Sequence, residues 1–248
     1  MQNDFDPRTS TDRFGGVNAA TVGVPRAARD AGLRSYMLSV YNYMASGVLL
    51  TGIVALLFAT SGFAAQVLVT PLRWLIILAP LGFVMAMNFG LNRMKTSTLQ
   101  ALFWAFAVSM GLSMSSIFLV YTGVSIAQTF FAVAAGFAGL SLYGYTTKRD
   151  LSGLGTFLIM GVVGLLVAML INLFLQSTAM MMAISAIGVL LFAGLTAYDT
   201  QRLKSEYIYG AMDGDVMERS AIMGALSLYL DFLNLFTMLL QLMGTRDE

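Results

Sequence analysis

Neither cysteine nor histidine occurs anywhere in this chain. The first absence excludes disulfides, thiol nucleophiles and thiolate metal sites, and the two together exclude zinc centres of the usual kind. The missing histidine also removes the one side chain that ordinarily titrates between pH 5 and 8. Any response to pH near neutrality must therefore come from carboxylates. Charge itself is scarce: 11% of the residues are charged and the formal net charge is +1, against about 25% charged residues in a soluble domain. No basic patch with interleaved aromatics is present, which argues against nucleic acid as a partner.

What the chain has in quantity is apolar surface. Of its 248 residues 58% are hydrophobic and the mean hydropathy is +0.77, so the folded chain must show apolar groups to lipid, its first expected partner. A bilayer core about 30 Å thick needs about 20 helical residues. Seven segments meet that length: Met37–Ser61, Leu72–Leu91, Leu99–Tyr121, Val124–Tyr145, Leu154–Leu175, Ala179–Tyr198 and Ile222–Met243. None alternates as a barrel strand does, and Pro80 in the second is expected to kink it. The fold class is an all-α membrane protein, a seven-helix bundle over residues 35–244. A polar N-terminal tail over residues 1–34 is expected to be disordered and cytoplasmic, and residues 245–248 form a short C-terminal tail. The run from Ala132 to Gly144, AVAAGFAGLSLYG, together with Gly161 and Gly164, supplies the small residues that close helix packing in lipid requires.

Lysine and arginine sort the loops to two sides. Arg8, Arg13, Arg26, Arg29 and Arg34 precede the first span. Arg93 and Lys95 follow the second, Lys148 and Arg149 the fourth, and Arg202, Lys204 and Arg219 lie between the sixth and seventh. The opposite links carry only Arg73, with Arg246 at the C-terminus. This bias predicts a cytoplasmic N-terminus, and an external C-terminus unless the seventh segment re-enters.

Within this apolar chain two acids stand out. Asp231 sits inside LSLYLDFLNLFTMLLQL, and Asp199 ends the preceding apolar run. A charged side chain at the centre of a bilayer costs roughly 2.5–3.5 kcal/mol on insertion scales, so such a group is paired, protonated or wetted. Two carboxylates in contact in a low-dielectric site hold one proton between them. Loss of that proton leaves like charges that repel or recruit a cation. Calcium prefers hard oxygen ligands. Asn234 shares a helix face with Asp231 at i+3, and Tyr229 and Asn172 are further candidate oxygens along a cation pathway. Two acids make a weak, transient site, as conduction requires. The two acids meet only if the sixth helix extends to about Lys204 or the seventh begins later than Ile222, and both are expected. The alternative is that Asp199 is a helix-end acid paired with Arg202 or Arg93, while Asp231 bonds to a neighbouring helix.

Three stretches carry a resemblance. GLTAYDTQRLK at Gly194–Lys204, LSLYLDFLNLF at Leu226–Phe236 and LYGYTTKRDLSG at Leu142–Gly153 resemble the bacterial branch of the transmembrane Bax inhibitor motif family, over roughly residues 30 to 244. The resemblance implies a central seventh helix surrounded by two three-helix layers, and a pH-sensitive calcium leak with no resident cofactor and no enzymatic activity. The proton-sensing aspartate pair it implies falls on Asp199 and Asp231. The arginine that closes the pore by pairing with the sixth-helix acid falls by position on Arg93. Two other functions fit parts of the pattern. An intramembrane aspartyl protease matches Tyr198–Asp199, but its second motif fails, because Leu228, Tyr229 and Leu230 precede Asp231. A non-conducting scaffold that binds a membrane quality-control protease or another membrane protein is the third reading.

Overall fold

A computed structural model describes residues 26–91, 93–209 and 214–247. Among them nine helices follow one another: α1 (Arg26–Thr60), α2 (Phe63–Leu68), α3 (Leu72–Gly90), α4 (Thr96–Met114), α5 (Ile117–Val120), α6 (Gly123–Thr146), α7 (Ser152–Leu175), α8 (Thr178–Tyr209) and α9 (Gly214–Met243). Seven spans are long and apolar enough to cross a membrane, with α4 and α5 together making the third. No strand occurs among the described residues, only one isolated bridge between Tyr121 and Arg246. The expected all-helical seven-span membrane fold is what the chain adopts.

Several boundaries differ from the sequence expectation. Helix α1 starts at Arg26, so residues 26–34 of the expected tail are helical; residues 1–25 lie outside the described residues. The sixth span runs to Tyr209, past Lys204 as expected. The seventh begins earlier than expected, at Gly214. Its first turns are polar and held in place: Arg219 pairs with Asp215 at 2.8 Å, its Nε donates to Thr96 Oγ1 at 3.1 Å, and Thr96 donates to Asp215. At 30 residues, α9 is about 45 Å long by its helical rise, well beyond the hydrocarbon core. Pro80 lies buried inside α3, which continues on both sides of it from Leu72 to Gly90.

Helix α9 is the most enclosed span. Inside the bundle 67% of its apolar window is buried, against 11–39% for the other six. It packs against α8, α1, α6 and α4; α3 rests mainly on α4, and α7 on α8. The outward faces of α3 and α7 carry Trp74, Leu75, Leu78, Met160, Val163 and Leu170, all exposed. In water such a face would be a liability; against acyl chains it is the expected surface.

The two ends of α9 settle its course through the bundle. Its start is tied to Thr96, the first residue of α4. Its end leads into Thr245, whose carbonyl accepts from Thr122 N at 3.1 Å and whose N–H donates to Ser125 Oγ at 2.9 Å. Asp247 N donates to Val120 O at 3.0 Å. These contacts lie at opposite ends of the α4–α5 rod, so α9 traverses the whole bundle and does not turn back.

Candidate functional site

Polar residues on α9 recur at Ser227, Asp231 and Asn234. Spacings of four and three place them on one helical face. That face looks into a cavity of about 360 Å³ between α7, α8 and α9. Apolar walls come from Val162, Leu165, Leu166, Met169 and Phe192, and Met238 lies one turn beyond Asn234. From α8 the one carboxylate in the lining is Asp199. Both acids are buried, 7% exposed for Asp199 and 5% for Asp231. The extension of α8 past the membrane core brings the two acids together: Asp199 is an interior residue of a 32-residue helix and not the end of a 20-residue one.

The two carboxylates are not equivalent. Asp199 has a cation, the guanidinium of Arg202, at 3.4 Å on the same helix. Arg202 also reaches Ser227 Oγ on α9 at 3.2 Å and Glu206 at 3.4 Å, so it bridges α8 to a residue of α9 that lines the cavity. Among the described residues Asp231 has no such partner. Its Oδ2 is buried and makes no hydrogen bond among the described residues. Leaving a buried acceptor unmatched costs about 1–3 kcal/mol, more for a charge, and a proton, a water or a cation would each satisfy it. Asn234 donates its amide N–H to Leu230 O at 2.9 Å within α9 and lines the same cavity.

Three other sequence candidates lie elsewhere. Arg93 is exposed and forms no ion pair among the described residues. It sits one turn past the end of α3, where its N–H caps Gly90 O at 2.9 Å, and the cation on Asp199 is Arg202. Tyr229 points away from the acids, because the residues before and after Leu230 face opposite sides of α9. Its hydroxyl bonds Thr51 of α1 at 2.6 Å and its ring packs edge-on against Phe103 and Phe106 of α4. Asn172 serves the end of α7: its Oδ1 accepts from Ser177 N at 3.0 Å beside Gln176, a non-glycine residue with φ of 50°. Ser227 also lines the cavity, although the sequence reading did not single it out. Its signal was its position four residues before Asp231.

Among the described residues no three carboxylate, histidine or cysteine side chains gather as a metal-binding group. The site offers two carboxylates, an amide and a hydroxyl in a cavity large enough for water. That donor set suits transient contact with a hydrated hard cation, and suits a shared proton equally.

Comparison with known proteins places this architecture. The family described as inhibitor of apoptosis-promoting Bax1 matches residues 33–248. The inner membrane protein YbhL of Escherichia coli is 46% identical over 220 residues, covering 87% of this chain and 94% of YbhL. Proteins of Rickettsia prowazekii and Caulobacter vibrioides are each 46% identical, over 220 and 231 residues, with 88% of this chain covered and 93% and 92% of theirs. On this match and these relatives, the chain with its seven apolar spans belongs to the Bax inhibitor family.

Proposed function

We propose that this protein is a proton-gated cation leak of the inner membrane, with calcium as its permeant ion. The observation that supports this most directly is the shared cavity of Asp199 and Asp231, in which Asp231 Oδ2 is buried without a partner. In the closed state one proton is held between the two acids and the cavity is neutral enough to stay shut in lipid. Raising the pH removes that proton. The two negative charges then repel across the α8–α9 interface, and a cation entering the cavity relieves them. Arg202 opposes opening: it neutralises Asp199 and ties α8 to Ser227 of α9. The inner-membrane location is supported by the description of YbhL. The cytoplasmic placement of the N-terminus is supported by the gathering of Lys95, Lys148, Arg149, Lys204 and Arg219 at one end of the bundle.

The test is a flux assay. The full chain is placed in proteoliposomes with a calcium dye, and the pH is stepped from about 6 to about 8. Calcium entry is expected to rise with pH, and Asp231→Asn is expected to abolish the pH dependence. Entry that steps with pH identically in the variant refutes the gate. Asp150, in the α6–α7 link, does not confuse this reading. The hydrogen bond from Ser152 holds its carboxyl below the usual carboxylate range, so it is ionised throughout the step. Cleavage of a reporter helix, lost in both Asp199→Asn and Asp231→Asn, would instead establish a protease.

A further inference from the structure

We infer that the seam between α1 and α6 is a binding site for an anionic phospholipid, its headgroup held at Arg34 and one acyl chain laid in the groove below. The observations that carry this are independent of the acid pair. Helix α1 packs on α4 and α9, and α6 packs on α8 and α9, so the two diverge and leave a seam open to the surrounding lipid. The seam holds a groove of about 610 Å³, lined by Met37, Tyr41, Ala45, Ala138 and Tyr145 among others. Exposed Leu38 and Leu142 belong to its walls, so the medium filling it is the acyl-chain region itself.

Length and charge select the occupant. Among the described residues Arg34 is the one charged member of the lining, and it lies at the end of the α1 span. From Arg34 to Ala45 at the inner end is about 16 Å of helix, close to one leaflet of a bilayer core about 30 Å thick. A single acyl chain hanging from a headgroup at Arg34 therefore runs the length of the groove and stops near the midplane. Arg34 forms no ion pair with a carboxylate among the described residues, and no acid lines the groove. A second cation stands at the same mouth: Lys204 donates to Tyr145 O at 2.7 Å, its ammonium 5.1 Å from the Tyr145 ring centre. That ammonium is taken up by the carbonyl and the ring, so Arg34 is the cation left to attract a phosphate at headgroup level, and its stem reaches out of the apolar zone. Inside the groove Tyr41 and Ser141 satisfy each other at 2.5 Å, leaving an apolar wall. A second groove of about 400 Å³ continues along α1 from Val48 to Leu56, with Phe130, Phe131 and Phe236. Among the described residues no charged one lines it, so headgroup selection belongs to the Arg34 end.

The test uses the purified full chain in mild detergent, titrated with dioleoyl phosphatidylglycerol or dioleoyl phosphatidylcholine and read by native mass spectrometry. The unmodified protein is expected to retain the anionic lipid about fivefold over the zwitterionic one, the preference that one cation supports at a membrane surface. Arg34→Gln is expected to bring the ratio to about one, and Arg34→Lys to keep most of it. Ala138→Phe fills the groove at a lipid-exposed position and is expected to remove retention of both lipids. Because the chain has no cysteine, Ala138→Cys adds a single thiol, whose reaction with a maleimide should slow when phosphatidylglycerol is present. Equal retention of the two lipids by the unmodified protein would overturn the headgroup site. Retention unaffected by Ala138→Phe, or an Ala138→Cys thiol that the lipid does not protect, would overturn the groove.

Discussion

At the scale of single residues, the site depends on an inequality between two acids of the same type. Asp199 faces Arg202, whereas Asp231 faces a cavity and keeps an unmatched oxygen. The sequence made both acids conspicuous because each interrupts an apolar run. It did not rank Arg93 against Arg202, since positional likeness to a family motif is silent on which guanidinium reaches which carboxylate. Arg202 wins by proximity on the same helix, at i+3 from Asp199. Tyr229 illustrates the opposite error: an oxygen two residues from Asp231 is a poor candidate for the same site, because that spacing turns it to the far side of a helix. Its hydroxyl instead holds α9 to α1. Removing it by Tyr229→Phe leaves Thr51 still donating to Ala107 O at 2.8 Å. The expected loss is therefore about 1 kcal/mol, the net worth of one buried hydrogen bond, measured as a lowered unfolding midpoint with calcium flux intact. A loss of flux with unchanged stability would place Tyr229 on the ion path after all.

At the scale of helices, small residues decide which rods approach. Gly144 of α6 lies against the backbone of Ala197 on α8, and a Cβ there would meet the Ala197 carbonyl. Backbone cannot step aside as a flexible side chain can. Gly144→Ala is therefore expected to destabilise the protein by about 1–3 kcal/mol, read by thermal or denaturant unfolding in detergent. Gly136 and Gly139, from the same sequence run, have open space where a Cβ would go, and alanine at either should leave stability unchanged. If all three variants unfold alike, helix propensity and not contact controls this face. The sequence showed a run rich in small residues. Which of them met a neighbour depended on how α6 is rotated, and local pattern does not encode that rotation.

At the scale of the whole molecule, the charged loops gather at one end and the ends of α9 reach opposite ends of the bundle. With the N-terminus cytoplasmic, a membrane-impermeant maleimide added to intact cells should label Ser177→Cys in the α7–α8 link and spare Lys148→Cys in the α6–α7 link. The reverse labelling would invert the orientation and the direction of the leak. The absence of native cysteine makes each variant a single reporter.

Composition and hydropathy by themselves determined the membrane setting, the seven spans and the two unusual acids. Lipid imposes length and apolarity on each span separately, so those features are written locally along the chain. Only the tertiary structure decided that α9 begins as early as Gly214, that Asp199 and Asp231 line one cavity, and that Arg202 attends the first while Arg93 stays exposed. Those outcomes depend on how far each helix continues beyond the membrane and how it is rotated against its neighbours. Packing between segments distant in sequence fixes both.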